Sequence, residues 1–343
     1  MSGQGAPRRA TAAWAAKRLL FHSGLLALAR RVRRQRAIIL RYHAVVGPQA
    51  PEVPYAAPDI CMPVDALRLQ MAFARRAYRP VPLAELVEAM HRGGPLPSRA
   101  LAVTFDDGYA DNCTLALPVL RALGVPATVY VATGAVEDGE PFWVAAARVL
   151  VLAAREAVRV PGLAPLPVPA AGDRSAVVKT LVRELVPLDG AVRRERLEAA
   201  AADAGVDVRA ALRGSMLTWA QVRTLADAGW TIGAHTVTHG NVALMPARES
   251  EREIAESRDA LVAATGRAVV DFCYPNTGGR HRYFSAEVAA TLRRLGFRSG
   301  AISGSAAIGP HDDPYCIPRL GVSPRLAPVI ELAAAVERKR LAA

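Results

Sequence analysis

Two short stretches of the chain group residues whose types and spacing can do chemistry. Asp106 and Asp107 sit in Phe105-Asp-Asp-Gly-Tyr109, directly after the apolar run Leu101-Ala-Val-Thr-Phe105. That run reads as a buried strand, and in parallel α/β folds the active site lies at the carboxyl ends of the strands. Adjacent carboxylates at such a place repel one another unless a cation compensates them. The second stretch, His235-Thr-Val-Thr-His239, follows another strand-like run that ends at Ala234. Its spacing predicts two imidazoles on one face of a helical turn, an arrangement that suits one divalent ion. Each stretch alone has an ordinary reading, a turn for Asp-Gly and a pair of core or capping histidines for the other. Together, Asp107, His235 and His239 form a carboxylate and two imidazoles that leave room for water and substrate. Asp106 is then free to act as the base for the attacking water.

The elements that must hold these residues alternate. Ala37–His43 reads as a strand, Val64–Tyr78 and Leu83–Arg92 as helices, Leu101–Phe105 as a buried strand, Leu115–Leu123 as a helix and Ala127–Val131 as a strand. After a break the rhythm resumes: helix Trp219–Ala228, strand Trp230–Ala234, helix Arg248–Thr265, strand Val269–Tyr274, helix Ser285–Leu295, strand Ser299–Ser303, strand Ile317–Val322 and a terminal helix from Ala327. Such alternation predicts parallel β/α units. Residues 137–217 form the break. They are rich in Ala and Arg, mostly helical in pattern, and cut by Pro161, Pro165, Pro167 and Pro169, which reads as an insertion with an internal linker. Emerging after a strand, the insertion is expected to cover part of the active-site rim. The organisation is thus a basic arm (1–36), a first barrel part (37–136), the helical insertion (137–217), and a second barrel part with the C-terminal helix (218–343).

Thr104-Phe-Asp-Asp-Gly-Tyr109 and His235-Thr-Val-Thr-His239, joined by Met216-Leu-Thr-Trp219, Ile232-Gly-Ala-His235 and Phe272-Cys-Tyr-Pro-Asn276, resemble the polysaccharide deacetylases of carbohydrate esterase family 4, the NodB-homology domain. The resemblance spans about residues 37–325, with the insertion matching poorly. It implies a distorted (β/α) barrel of seven or eight strands and metal-dependent removal of acetyl groups from sugars. By position it implies that Asp107, His235 and His239 are the metal ligands, that Asp106 is the catalytic base, and that the backbone N–H of Tyr274 completes an oxyanion hole. The chain departs from the family in three places, one of them a turn, where Gly240 stands after His239 and the family often has proline. It lacks the late Leu-x-Ile-His motif that carries the general acid; His43, at the end of the first strand, is the preferred replacement, with His311 the alternative. The arginine that orients the base is also out of place, leaving Arg280 and Arg319 as candidates.

Composition sets the remaining bounds. The 343 residues carry a formal net charge of +12, yet residues 1–41 hold ten basic side chains and no acid, so the rest of the chain is close to neutral. A near-neutral body argues against nucleic acid as a partner. In the arm, Trp14, Phe21, Leu25, Leu28 and Val32 share one helical face within residues 11–35. Two readings stay open for it: a helix packed on the body, or peripheral docking on an anionic membrane near a lipid-linked sugar. No apolar run is long enough for a transmembrane helix, and no signal-peptide pattern is present, which places the chain in the cytoplasm or at the inner face of the membrane. Four scattered cysteines fit a reducing compartment.

The expected function is hydrolytic deacetylation of an N-acetylated sugar in a cell-envelope or exopolysaccharide glycan. Zinc is the default ion, and cobalt, nickel or iron would fit the same ligands. The alternatives are an amidase acting on a small non-sugar amide with the same barrel, and a catalytically silent barrel that only binds.

Overall fold

The computed structural model describes residues 17–19, 21, 23–24, 36–49, 53–275 and 282–342. Its strands are β1 (Ile38–Tyr42), β2 (Ala44–Val46), β3 (Cys61–Pro63), β4 (Arg79–Pro80), β5 (Ala100–Phe105), β6 (Thr128–Val131), β7 (Ala157–Val158), β8 (Leu166–Pro167), β9 (Thr231–Ala234), β10 (Asp271–Cys273), β11 (Ser299–Ser303) and β12 (Ile317–Gly321). Its α-helices are α1 (Val64–Ala77), α2 (Leu83–His91), α3 (Leu117–Leu123), α4 (Trp143–Ala153), α5 (Ser175–Leu185), α6 (Gly190–Asp203), α7 (Val208–Leu212), α8 (Trp219–Asp227), α9 (Ala247–Thr265), α10 (Ala286–Arg294) and α11 (Val329–Ala342).

Seven strands close a parallel barrel in the order β1-β12-β11-β10-β9-β6-β5, with β5 pairing back onto β1, and the short β4 adds to the start of β5. The chain therefore has the distorted (β/α) barrel expected of it. Alternation along each strand sorts side chains to the two faces. Leu40, Tyr42, Val103, Phe105, Val129 and Phe272 belong to the cluster that also holds Leu67, Met71, Leu120 and Leu261 of the surrounding helices. Ile39, Ala102, Tyr130, Cys273, Ala301 and Ile317 form the inward cluster. Small inward residues make room for large ones. A Cβ on Gly233 would lie 2.5 Å from the Tyr130 ring, so glycine is required there.

The stretch 137–217 is not a linker-broken appendage. Pro161–Pro169 lie in and around the β7–β8 hairpin, whose flanking Val158, Val160 and Val168 are buried. These join Trp143, Leu150, Leu181, Leu185, Leu197 and Leu212 in a second hydrophobic core, together with Ala44, Val46 and Tyr109. Those last three residues follow the carboxyl ends of β1 and β5, so the second core rests on the rim that carries the chemistry.

Of the basic arm, the Lys17 ammonium bonds Glu331 at 2.7 Å, and the Phe21 ring lies 5.8 Å from that of Phe73. Trp14, Leu25, Leu28 and Val32 lie outside the described residues.

Candidate active site

At the end of β5 the Asp106 N–H still pairs with the Tyr42 carbonyl at 3.0 Å. The chain then turns through Asp107 at φ 74° and Gly108 at φ 85°. A left-handed conformation is strained for a residue with a Cβ and persists where the surroundings impose it. Here it swings the Asp107 carboxylate toward β9. Its Oδ1 lies 3.4 Å from His235 Nε2 and 3.3 Å from His239 Nε2.

The two histidines do not occupy a helical turn. Residues 235–240 form an irregular strand exit with Thr236 at φ 65° and His239 at φ 54°. The physical reason is that the loop's backbone groups bond elsewhere than to one another. Thr133 and Gly134 donate to the carbonyls of Thr236 and Val237 at 3.1 and 2.8 Å. The buried Glu253 of α9 accepts the N–H groups of Val237 and Thr238, both at 2.9 Å, and the Thr238 hydroxyl at 3.0 Å. From the insertion, Trp143 Nε1 donates to the His239 carbonyl at 3.1 Å, and Phe142 meets the His239 ring edge-on at 4.9 Å.

The fit to a metal ion rests on these atoms. One ligand atom from each of Asp107, His235 and His239 lies within 4.8 Å of the others, and all three residues are buried. His235 Nδ1 lies 2.7 Å from the Cys273 carbonyl, which only accepts, so Nδ1 carries a proton and Nε2 is the atom turned to Asp107. Burial would lower this imidazole, but the negative groups around it raise it well above its ordinary value, and an ion would take the place of the Nε2 proton. Burial by itself would raise the Asp107 carboxyl, but the two imidazoles reverse this and hold it well below the carboxylate range. A buried, ionised carboxylate facing two imidazole nitrogens is a donor set for a divalent ion. A second group, Asp106, His235 and Cys273, has similar spacing. There the Arg319 guanidinium already bonds both Asp106 and Cys273 Sγ, so a cation is in place.

Arg319, one of the two arginines named as candidates to orient the base, contacts Asp106 directly. Its Nη1 and Nη2 donate to the two Asp106 oxygens at 2.6 and 2.8 Å, and Nη1 also reaches Thr104 Oγ1 at 3.1 Å. Burial pushes Asp106 upward; the Arg319 charge and paired bonds overcome it and bring the carboxyl down to about 2. Arg280 lies outside the described residues.

His43 stands on the other side of the same carboxylate, its Nε2 3.9 Å from Asp106 Oδ2. Burial lowers its pKa to about 4 against the pull of Asp107 and Asp106. Its carbonyl accepts from Asn112 Nδ2 at 2.8 Å, and Asp111 Oδ1 accepts from Val45 N–H at 2.9 Å, which fixes the chain leaving β1. His311 is at the opposite end of the barrel. Asp312 beside it faces Arg36, which precedes β1, and Pro314 accepts from the N–H of Gly300 at the start of β11. Tyr274 requires a correction as well. Its N–H donates to the Ala301 carbonyl at 3.0 Å within the sheet, and Pro275 has no N–H to offer in its place.

Sequence reasoning missed Glu253, Trp143, Asp111 and Asn112. Glu253 reads as one more charge in the Arg248–Thr265 helix, and Trp143 as insertion core; no motif marks either one.

A closed parallel barrel with Asp106, Asp107, His235 and His239 on its carboxyl rim defines a metal-hydrolase architecture. The family model for polysaccharide deacetylases matches residues 93–300, and the chain belongs to that family. Over 64 residues it is 50% identical to the poly-β-1,6-N-acetyl-D-glucosamine N-deacetylase of Escherichia coli strain K12. That match covers 18% of this chain and 9% of the relative, so it takes in less than a tenth of that protein's length. Among solved structures, the fold is similar to a Streptococcus pyogenes deacetylase in complex with acetate, PplD, with TM-score 0.58 and 15% identity, covering 90% of this chain and 99% of the other. It is also similar to IcaB from Ammonifex degensii, with TM-score 0.56 and 18% identity over 88% and 97% of the two chains.

Proposed function

We propose that the chain is a metal-dependent deacetylase that hydrolyses the acetamide of an N-acetylated sugar in a cell-envelope or exopolysaccharide glycan. The observation that carries this reading is the placement of Asp107, His235 and His239 around one point beside an Arg319-held Asp106. Family membership and the named activity of the Escherichia coli relative support it. Zinc is the metal proposed, on the two-imidazole, one-carboxylate donor set. When held there, the ion supplies Lewis-acid polarisation of the acetyl oxygen and acidifies the attacking water.

The side chains do the rest. Asp106 takes the proton of the attacking water, while Arg319 fixes both its oxygens and so its direction of attack. With its pKa near 4, His43 enters neutral. It receives the proton from Asp106, 3.9 Å away, and passes it to the departing sugar nitrogen. Water adds to the acetyl carbon, the C–N bond breaks, and the proton lost by the water leaves on the amine. Phe142 and Trp143 keep the His239 side of the site dry.

No helix among the described residues is long and apolar enough to cross a membrane. Action at the cytoplasmic face of an anionic membrane, on a lipid-linked sugar, is one reading of the basic arm; the contacts of Lys17 with Glu331 and of Phe21 with Phe73 support the other, a helix packed on the body. Co-sedimentation with anionic vesicles, lost when residues 1–36 are removed, is the expected result. Binding unchanged by the truncation would overturn it.

The decisive experiment for the activity is acetate release from N-acetylated oligosaccharides with and without chelator. Release that stops on chelation and returns with zinc is expected. Release indifferent to chelation would reject the reading.

A further inference from the structure

The reaction leaves unused a charged group at the barrel mouth, the guanidinium of Arg41. Arg41 pairs with Gly321 across the β1–β12 ladder, and its alternation with the inward Ile39 turns its side chain inside, one layer above the packed core. Nη1 donates to the Ser303 hydroxyl on β11. Nη2 passes over Gly321, where a Cβ would come within 2.9 Å of it. The group thus spans from β1 across β12 to β11. That is the side of the mouth away from β5 and β9, whose ends hold Asp107, His235 and His239.

This guanidinium is only partly satisfied. Its Nε is buried with no hydrogen-bond partner. Among the described residues it has no ion pair, and Asp106, the acid that most affects it, has both oxygens on Arg319. Of the residues outside the description only Glu52 is acidic; the 276–281 stretch of the sequence holds Arg280 and His281 but no acid. A buried donor without an acceptor is costly. Arg41 and Arg319 balance Asp106 and Asp107, so a divalent ion at the site leaves the mouth positive. A neutral sugar does not offset that excess.

We infer that Arg41 binds an oxyanion carried by the substrate, a phosphoryl or carboxylate group on or next to the N-acetylated sugar. The inference rests on the deacetylase reading above and narrows it from neutral homopolymers to acidic or phosphorylated glycans.

The test compares the metal-loaded wild type with Arg41→Gln and Arg41→Lys on three probes. These are a neutral β-1,6-linked N-acetylglucosamine oligomer, N-acetylglucosamine 1-phosphate, and a disaccharide of N-acetylglucosamine and glucuronate. In the wild type, kcat/KM for at least one anionic probe should exceed that for the neutral oligomer about tenfold or more, the loss typical of a broken charge-assisted bond. Which probe gains tells phosphoryl from carboxylate. Arg41→Gln should collapse that ratio, mainly through KM, and Arg41→Lys should restore part of it. Should Arg41→Gln not fold, the wild-type preference and its loss in about 0.5 M sodium chloride decide the matter. Equal efficiency on neutral and anionic probes, or a preference that survives Arg41→Gln, overturns the inference alone. Acetate release from none of the three overturns the deacetylase reading and the inference with it.

Discussion

Replacing Arg319 with Gln removes the strongest partner that keeps Asp106 ionised inside the barrel. In the folded chain that carboxyl lies at about 2 instead of its ordinary 3.8. The difference corresponds to about 2–3 kcal/mol of folding free energy. The folded-state pKa is depressed, so this contribution is fully present above pH ~4 and is lost as pH falls through about 2. Without the guanidinium, burial is opposed only by the weaker pull of His43 and His235, and the carboxyl should rise back toward its ordinary 3.8 or beyond. Two consequences follow for Arg319→Gln. Stability at neutral pH should fall by ~3–5 kcal/mol, the usual penalty for stranding one member of a buried pair. The acid limb of acetate release should move up by more than about two pH units, because a protonated Asp106 takes no proton from water. Loss of alignment should lower kcat about a hundredfold even where Asp106 is ionised, and Arg319→Lys, a point charge without the paired geometry, should recover only part of it. Urea unfolding and the pH profile of kcat on the metal-loaded enzyme measure the two effects separately. If stability falls while the acid limb stays within about half a pH unit of wild type, Arg319 is a structural cation and its role toward the base is refuted.

Three further outcomes are expected. His239→Ala should lower zinc affinity at least about tenfold in competition with a chromophoric chelator; unchanged occupancy would remove His239 from the ligand set. Asp106→Asn should keep one metal per chain yet lose ~10²–10⁴ in kcat, and His43→Ala should lose about as much. His311→Ala should stay near wild type, and the reverse pattern for the two histidines would move the general acid. Glu253→Ala should weaken zinc binding about 10–100-fold without contacting the ion, because the Val237 and Thr238 amides lose their shared acceptor.

How much of this was legible depended on the range of the interaction. The barrel and its strand ends follow from local alternation, so Asp106, Asp107, His235 and His239 could be placed on one rim from the sequence. Arg319 was one of two candidates because nothing local ties β12 to β5; only barrel closure brings Arg319 against Asp106, 213 residues away. The same closure excludes His311, whose loop falls at the other end. The helical turn expected for His235–His239 failed because the spacing of two histidines says nothing about where the intervening N–H groups find acceptors. Glu253 and the turn after Ala132 supply those partners from distant sequence. Tyr274 failed for a related reason. A strand end shows which residue leaves the sheet only once the ladder is seen, and here pairing with Ala301 runs one residue further. The Pro-rich 161–169 stretch looked like a linker because proline excludes helix; it does not exclude a short hairpin tucked over an apolar face.

Asp107, Thr236 and His239 are three of the six non-glycine residues at positive φ among the described residues, and all three lie in the two loops that meet at the metal position. Such conformations cost on the order of 1–3 kcal/mol each and persist only when the surroundings over-determine them. The over-determination is visible: Glu253 on the Val237 and Thr238 amides, Thr133 and Gly134 on the Thr236 and Val237 carbonyls, and Trp143 on the His239 carbonyl. None of these contacts reaches a ligand atom. They fix the backbone from which two imidazoles and a carboxylate converge. The protein's own contacts thus order the proposed metal site. The insertion is part of that scaffold through Phe142 and Trp143. Removal of Gly162–Ala210 would strip Leu181, Leu185 and Leu197 from the core beneath Trp143, so its expected effect reaches metal affinity as well as substrate range.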